Sequence, residues 1–166
     1  MRWQIPEYGR LKCNVDASFH RASDRAGISC CVRNDAGLFV SALTSWMRPK
    51  LSPHEGEALG LWHAMSWALS SGFHNVIFET DSKMLVDVVH SDNAGISEFY
   101  VIVSKIRGLL ALHYNFEVKF VRRQANMVAH TLANVAILNA SRHIYDYAPL
   151  CIQHYLRNDM SCVLFV

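Results

Sequence analysis

The stretch Asn75-Val76-Ile77-Phe78-Glu79-Thr80-Asp81-Ser82 constrains the chain most, because it is an unbroken apolar run that stops at an acid flanked by hydroxyls. A strand with apolar side chains on both faces is buried on both, and such strands belong to parallel sheets covered by helices. Asp81 then stands at the carboxyl end of a buried strand, the edge where open α/β sheets collect their ligands. A second reading competes with this one, in which Asp81 or Ser82 merely caps the helix that begins at Lys83-Met84-Leu85-Val86.

Upstream, residues 11–19 alternate, with Cys13, Val15, Ala17 and Phe19 on one side and Lys12, Asn14, Asp16 and Ser18 on the other. Period two predicts a half-buried strand with Asp16 turned away from Val15 and Phe19. Residues 27–33 and 38–46 flank Asn34-Asp35-Ala36-Gly37, whose residue types suit a tight hairpin turn, so the first three strands form an antiparallel meander. Ser52-Pro53-His54-Glu55 is a capping box with proline at the first helical position, and Gly72 stops the helix near Ser71. Gly56, Gly60, Ala64 and Ala68 recur every fourth residue along it, a stripe of small side chains that lets the helix lie close to its neighbour. Glu57 falls in the first turn, where the helix dipole favours an acid and where ordinary surface acids also collect.

A short helix over residues 82–89 and an amphipathic one over 97–113 follow, then a strand around Phe116, Val118, Phe120 and Val121 and a helix over 125–139. Helical crossovers predict that the last two strands lie parallel in one sheet. Residues 1–10 read as a lead-in, 11–142 as one domain, and 143–166 as a tail with no assignable element. A chain of 166 residues, 51% hydrophobic and 18% charged, can bury one core but not two.

The net charge of +2 supplies no bulk attraction for polyanions, so any nucleic-acid contact has to come from local clusters such as Arg122-Arg123. Five cysteines without C-x-x-C spacing, Cys30 and Cys31 pointing to opposite strand faces, fit a reduced compartment. No apolar stretch has signal-peptide or membrane-span length. The chain therefore reads as a soluble intracellular monomer without a membrane partner, with nucleus and cytoplasm undistinguished. No phosphate loop, dinucleotide fingerprint or G-x-S-x-G is present, so no nucleotide cofactor is expected.

If the first and fourth strands are neighbours, Asp16, Glu57 and Asp81 meet. Clustered carboxylates repel and raise one another's pKa unless a cation neutralises them, and oxygen-only ligation selects Mg²⁺ or Mn²⁺ over zinc. Two such ions can activate water and stabilise the leaving oxygen in phosphodiester cleavage.

Four segments, Lys12-Cys13-Asn14-Val15-Asp16-Ala17-Ser18-Phe19, Glu57-Ala58-Leu59, Glu79-Thr80-Asp81-Ser82 and Asn126-Met127-Val128-Ala129-His130-Thr131-Leu132-Ala133, resemble the ribonuclease H family. The likeness is to its plant reverse-transcriptase-like, retroelement-type form and spans roughly residues 11 to 139. It implies a ribonuclease H-like α/β fold, a five-stranded mixed sheet with helices on both faces. It also implies an endonuclease that cuts the RNA strand of RNA–DNA hybrids with two ions, Mg²⁺ or Mn²⁺. The resemblance makes Asp16, Glu57 and Asp81 the metal-binding carboxylates, with His130 as a fourth catalytic position. Ala17, Ser18, Ser82, Arg122, Arg123 and Asn126 are the substrate-binding candidates.

The chain departs from the family pattern at three places. His130 stands where the family has a fourth acid, and imidazole is a poorer partner than carboxylate for Mg²⁺. Ala17 replaces the glycine that commonly follows the first aspartate. Residues 122–125 are too short for the histidine loop of cellular ribonucleases H, and their basic protrusion is missing. His130 is either a ligand or proton-handling group, or a packed polar side chain on a helix face. A hybrid ribonuclease is accordingly weighed against a degenerate domain of the same fold that binds nucleic acid or a protein without cutting.

Overall fold

The computed structural model describes residues 2–48 and 51–161; Cys162 and the rest of the apolar 162–166 segment lie outside the described residues. Strands β1 (Leu11–Phe19), β2 (Ala26–Arg33) and β3 (Phe39–Met47) form the expected meander. Its tight turn closes through the Gly37 N–H to the Asn34 carbonyl at 2.9 Å, with Gly37 at φ +76°. Helix α1 (Pro53–Ser70) starts on the complete capping box: Ser52 Oγ accepts the Glu55 N–H, and the Glu55 carboxylate accepts the Ser52 N–H. It ends on Gly72 at φ +74°, with Gly72 N–H bonded to Leu69 O and Phe73 N–H to Ala68 O, the paired bonds of a glycine-terminated helix.

Strand β4 (Val76–Thr80), buried at every residue, lies between β1 and β5 (Glu117–Phe120) and parallel to both. The order is β5-β4-β1-β2-β3-β6, a mixed sheet of six strands where five are expected. The extra strand, β6 (His143–Tyr145), pairs antiparallel with β3. Three largely exposed residues cannot show a period, so it is invisible in the sequence. The same tail then forms α5 (Leu150–Met160), whose Ile152 joins Cys31, Ala42, Val128 and Leu132 in a second apolar cluster.

Helices α1, α2 (Lys83–Val89) and α3 (Glu98–Leu112) cover one face of the sheet, while α4 (Met127–Asn139) and α5 cover the other. Cys30 and Cys31 therefore belong to opposite cores. The half-buried reading of β1 is corrected here, since Asn14, Asp16 and Ser18 are as buried as Val15. Their face meets α4 rather than water. Its polarity is an internal layer in which Asn14 Nδ2 donates to Glu79 and to Asn126, Lys12 Nζ sits 2.9 Å from Glu79, and Ser29 Oγ donates to Ala129 O. Buried polar groups paired in this way avoid the desolvation cost of orphans. No helix among the described residues is long and apolar enough to cross a membrane.

Two features aim the fold at one end of the sheet. Val15 pairs with Thr80, so Asp16 and Asp81 follow on adjacent parallel strands. A Cβ on Gly56 would lie 2.5 Å from the tip of the Phe19 ring, so the bare residue 56 lets the start of α1 come down onto the end of β1 with Phe19 in place.

Candidate active site

Asp16, Glu57 and Asp81 converge at that end, each offering a carboxylate oxygen, with all these oxygens within 4.8 Å of one another. Glu57 is the fifth residue of α1, just past its first turn, because the capping box consumes that turn. Ser82, not Asp81, caps α2: Ser82 Oγ accepts the Leu85 N–H, which leaves the Asp81 carboxylate free for the cluster. Asp16 is fully buried, and Asp16 Oδ1, Glu57 Oε2 and Asp81 Oδ2 are buried without a hydrogen-bond partner. Three oxygens without a hydrogen bond in one place, of which Asp81 Oδ2 alone has an ion-pair partner in Arg123, are what a hard divalent cation can use and what a protein otherwise avoids.

The electrostatics agree with this geometry. Burial pushes the Glu57 carboxyl from 4.5 up to about 9, with Asp16 and Asp81 adding to the effect and Arg123 and the Ala17 N–H opposing it. Asp81 is also raised, first by burial and then by Asp16, against the pull of Arg123 and His130. A divalent ion would offset the mutual repulsion that adds to these shifts.

His130 and Arg123 complete the constellation. His130, the fourth residue of α4, places Nδ1 2.8 Å from Asp16 Oδ2, while Asn134 Nδ2 lies 3.4 Å from its Nε2. Nδ1 faces both Asp16 Oδ2, which needs a donor, and Arg123 Nη1, which needs an acceptor, so neither neutral tautomer serves all three contacts of the ring. Ser18 Oγ in turn donates to Asn134 Oδ1. Arg123, on a 3-10 turn (Arg123–Ala125) between β5 and α4, holds Nε 2.5 Å from Asp81 Oδ2 and Nη1 3.5 Å from Asp16 Oδ2. Its Nη1 also contacts His130 Nδ1.

The remaining substrate candidates are placed differently. Ala17 and Ser18 are buried beside the acids, where the Ala17 N–H serves Glu57. Arg122 is exposed next to Arg123. Asn126 is fully buried: its Nδ2 donates to Val15 O and its Oδ1 accepts from Asn14, so it fixes the turn of Arg123 against β1 instead of facing solvent. Asn134 is absent from the sequence reading, although its place one helical turn after His130 is the signal that marks it.

The sheet order, the crossovers and acids at the adjacent ends of β1 and β4 define a ribonuclease H fold. Ribonuclease H1 of Halobacterium salinarum superimposes with a TM-score of 0.71 at 20% identity, over 80% of this chain and 100% of that one. LC11-RNase H1, solved in complex with an RNA/DNA hybrid, gives 0.69 at 17% identity, over 79% and 99%. Residues 14–136 match the reverse transcriptase-like family, and the chain belongs to it. A protein of Arabidopsis thaliana provisionally named a ribonuclease H protein is 24% identical over 95% of this chain, which spans a quarter of that relative's length.

Proposed function

We propose that the chain is a divalent-metal-dependent ribonuclease that cleaves the RNA strand of RNA–DNA hybrids. The observation that carries this reading is the convergence of carboxylate oxygens from Asp16, Glu57 and Asp81 within 4.8 Å of one another, with a buried oxygen of each acid left without a hydrogen bond. The all-oxygen donor set fits Mg²⁺ or Mn²⁺, in one or two sites. When bound, such ions activate the attacking water and stabilise the leaving oxygen. Asp16, held between β1 and His130, is the central ligand, while Glu57 and Asp81 complete the set from α1 and β4. Glu57 gives up its proton when the site is loaded. His130 orients Asp16 through Nδ1, itself oriented by Asn134. Arg122 and Arg123, beside the acids, offer the positive charge that a phosphate backbone needs.

A second reading, a domain that binds hybrid or structured nucleic acid without cutting, is favoured by one observation: an imidazole and a guanidinium, not a fourth carboxylate, stand against Asp16. A labelled hybrid incubated with the purified protein and Mg²⁺ or Mn²⁺ separates the two. Cleavage of the RNA strand with either ion is the expected result. Hybrid binding with no cleavage in either ion leaves the second reading, and cleavage of DNA or single strands instead marks another nuclease on this fold.

A further inference from the structure

Arg123 is a cation set against two of the three acids, within ion-pair distance of both Asp16 and Asp81. Its backbone is fixed: Ala125 N–H bonds to Arg122 O at 2.8 Å, Asn126 N–H bonds to Arg123 O at 2.9 Å, and the Asn126 side chain ties the turn to Val15, the residue before Asp16. The side chain is held only by its tip, which meets Asp81, Asp16 and His130, and 48% of it is exposed. A guanidinium that binds carboxylates for structural reasons usually does so with two parallel, aligned N–H donors. Arg123 does not. Its Nε approaches Asp81 Oδ2 to 2.5 Å without directing an N–H along the contact, so that oxygen still lacks a hydrogen bond, and its Nη1 reaches Asp16 only at 3.5 Å. At Asp81 Oδ2 the contact supplies charge without a hydrogen bond.

We propose that Arg123 is the site's own counter-cation: its guanidinium takes the place between Asp16 and Asp81 that a divalent ion needs, so metal entry and the departure of Arg123 are one exchange. The proposal rests on reading the three acids as a metal centre. An ion that takes Asp81 Oδ2 as a ligand competes with the guanidinium for that oxygen and repels its charge, so ion entry turns the arginine outward, the direction in which it is already half exposed. In the metal-free protein the arginine offsets part of the repulsion among the three acids, of which Asp16 is fully buried. Metal affinity then carries a penalty equal to the cost of evicting it.

The test needs no nucleic acid. Metal-free parent, Arg123→Gln and Arg122→Gln proteins are titrated calorimetrically with Mn²⁺, and their melting is followed in EDTA. Arg123→Gln is expected to bind Mn²⁺ roughly tenfold more tightly than the parent, a usual size for coupling between competing occupants, and to melt lower in EDTA. Arg122→Gln removes the same formal charge one residue away and is expected to shift affinity by less than about twofold, because exposed charges are screened. If the parent binds Mn²⁺ and Arg123→Gln binds it equally or more weakly, the exchange is overturned while the metal centre stands. Equal tightening in both variants overturns it too, because the effect is then one of general charge. A parent that binds no Mn²⁺ removes the metal centre itself, and the exchange with it.

Discussion

Val15 lies opposite Thr80 in the parallel ladder of β1 and β4, and this single register places the next residues, Asp16 and Asp81, side by side at the edge of the sheet. A slip of one residue would turn one of the two carboxylates to the opposite face of the sheet. The site is therefore a property of strand pairing before it is a property of the acids themselves.

Asp16→Asn keeps the side-chain shape and removes one charge of the cluster. Cleavage of the hybrid should be lost. Melting temperature in EDTA should hold or rise, because the Asp16 charge is among the causes that raise both Glu57 and Asp81. Asparagine Oδ1 still accepts from His130 Nδ1, so the fold keeps that contact. Parental cleavage rates in the variant would remove Asp16 from the chemistry.

Glu57 makes the metal-free protein sensitive to base. Its carboxyl, ordinarily at 4.5, is pushed up to about 9 in the folded chain. Between those values the folded chain holds a proton that the unfolded chain has released, so stability falls as pH rises through the window. The cost is absent below the lower value and fully expressed above the upper one. Metal binding must expel this proton, so Mn²⁺ affinity should rise with pH by up to about tenfold per unit across the neutral range. Melts in EDTA across the window should show the decline, and Glu57→Gln should flatten it. Proton release can be read from calorimetry in buffers of different ionisation enthalpy. A parent with a flat stability profile and no proton release would show that Glu57 is ionised without metal.

Local patterns made much of this legible in advance. The capping box, the glycine stop, the hairpin turn and the uninterrupted Val76-Ile77-Phe78 run each carry their conformation in a few adjacent residues, and all nine expected elements are present. The β1–β4 pairing was only a condition, because register between distant strands leaves no local trace. Alternation likewise predicts a half-buried β1, because it reports polarity and not exposure, and the polar side is buried because α4 and its neighbours supply hydrogen bonds there. Arg123 shows the limit most clearly. It stands out in the sequence as a basic residue suited to phosphate, while its contact with Asp81 depends on a turn locked to β1 by Asn126.

The lead-in is part of the fold, and Trp3→Ala should show it. Trp3 is 4% exposed and its ring lies 3.5 Å from the guanidinium of Arg33, which is itself fully buried between Asn14 and Asp159 of α5. Removing the ring leaves a cavity beside a buried charge, a loss of about 3–5 kcal/mol by the cost of large-to-small core changes. Urea unfolding measures it. A loss under about 1 kcal/mol would mean that the aromatic cover is dispensable, as for an ordinary surface substitution.

His130→Asp tests what the imidazole does. His130 Nδ1 sits 2.8 Å from Asp16 Oδ2, so a carboxylate at this position would join the other three as a hard oxygen ligand. Mg²⁺ prefers such ligands, whereas Mn²⁺ tolerates imidazole better, so the parent should work relatively better with Mn²⁺ and the variant should narrow that gap. A fourth acid also adds to the repulsion when no ion is present. The variant should therefore melt below the parent in EDTA and gain more from added Mg²⁺ than the parent does. The measurements are the ratio of Mn²⁺-supported to Mg²⁺-supported cleavage, metal titrations, and melting with and without ion. If ratio and affinity stay at parental values while melting in EDTA falls, residue 130 does not reach the ions. Its ring then acts only by holding Asp16 in place, with Asn134 in contact with Nε2 from one turn along α4.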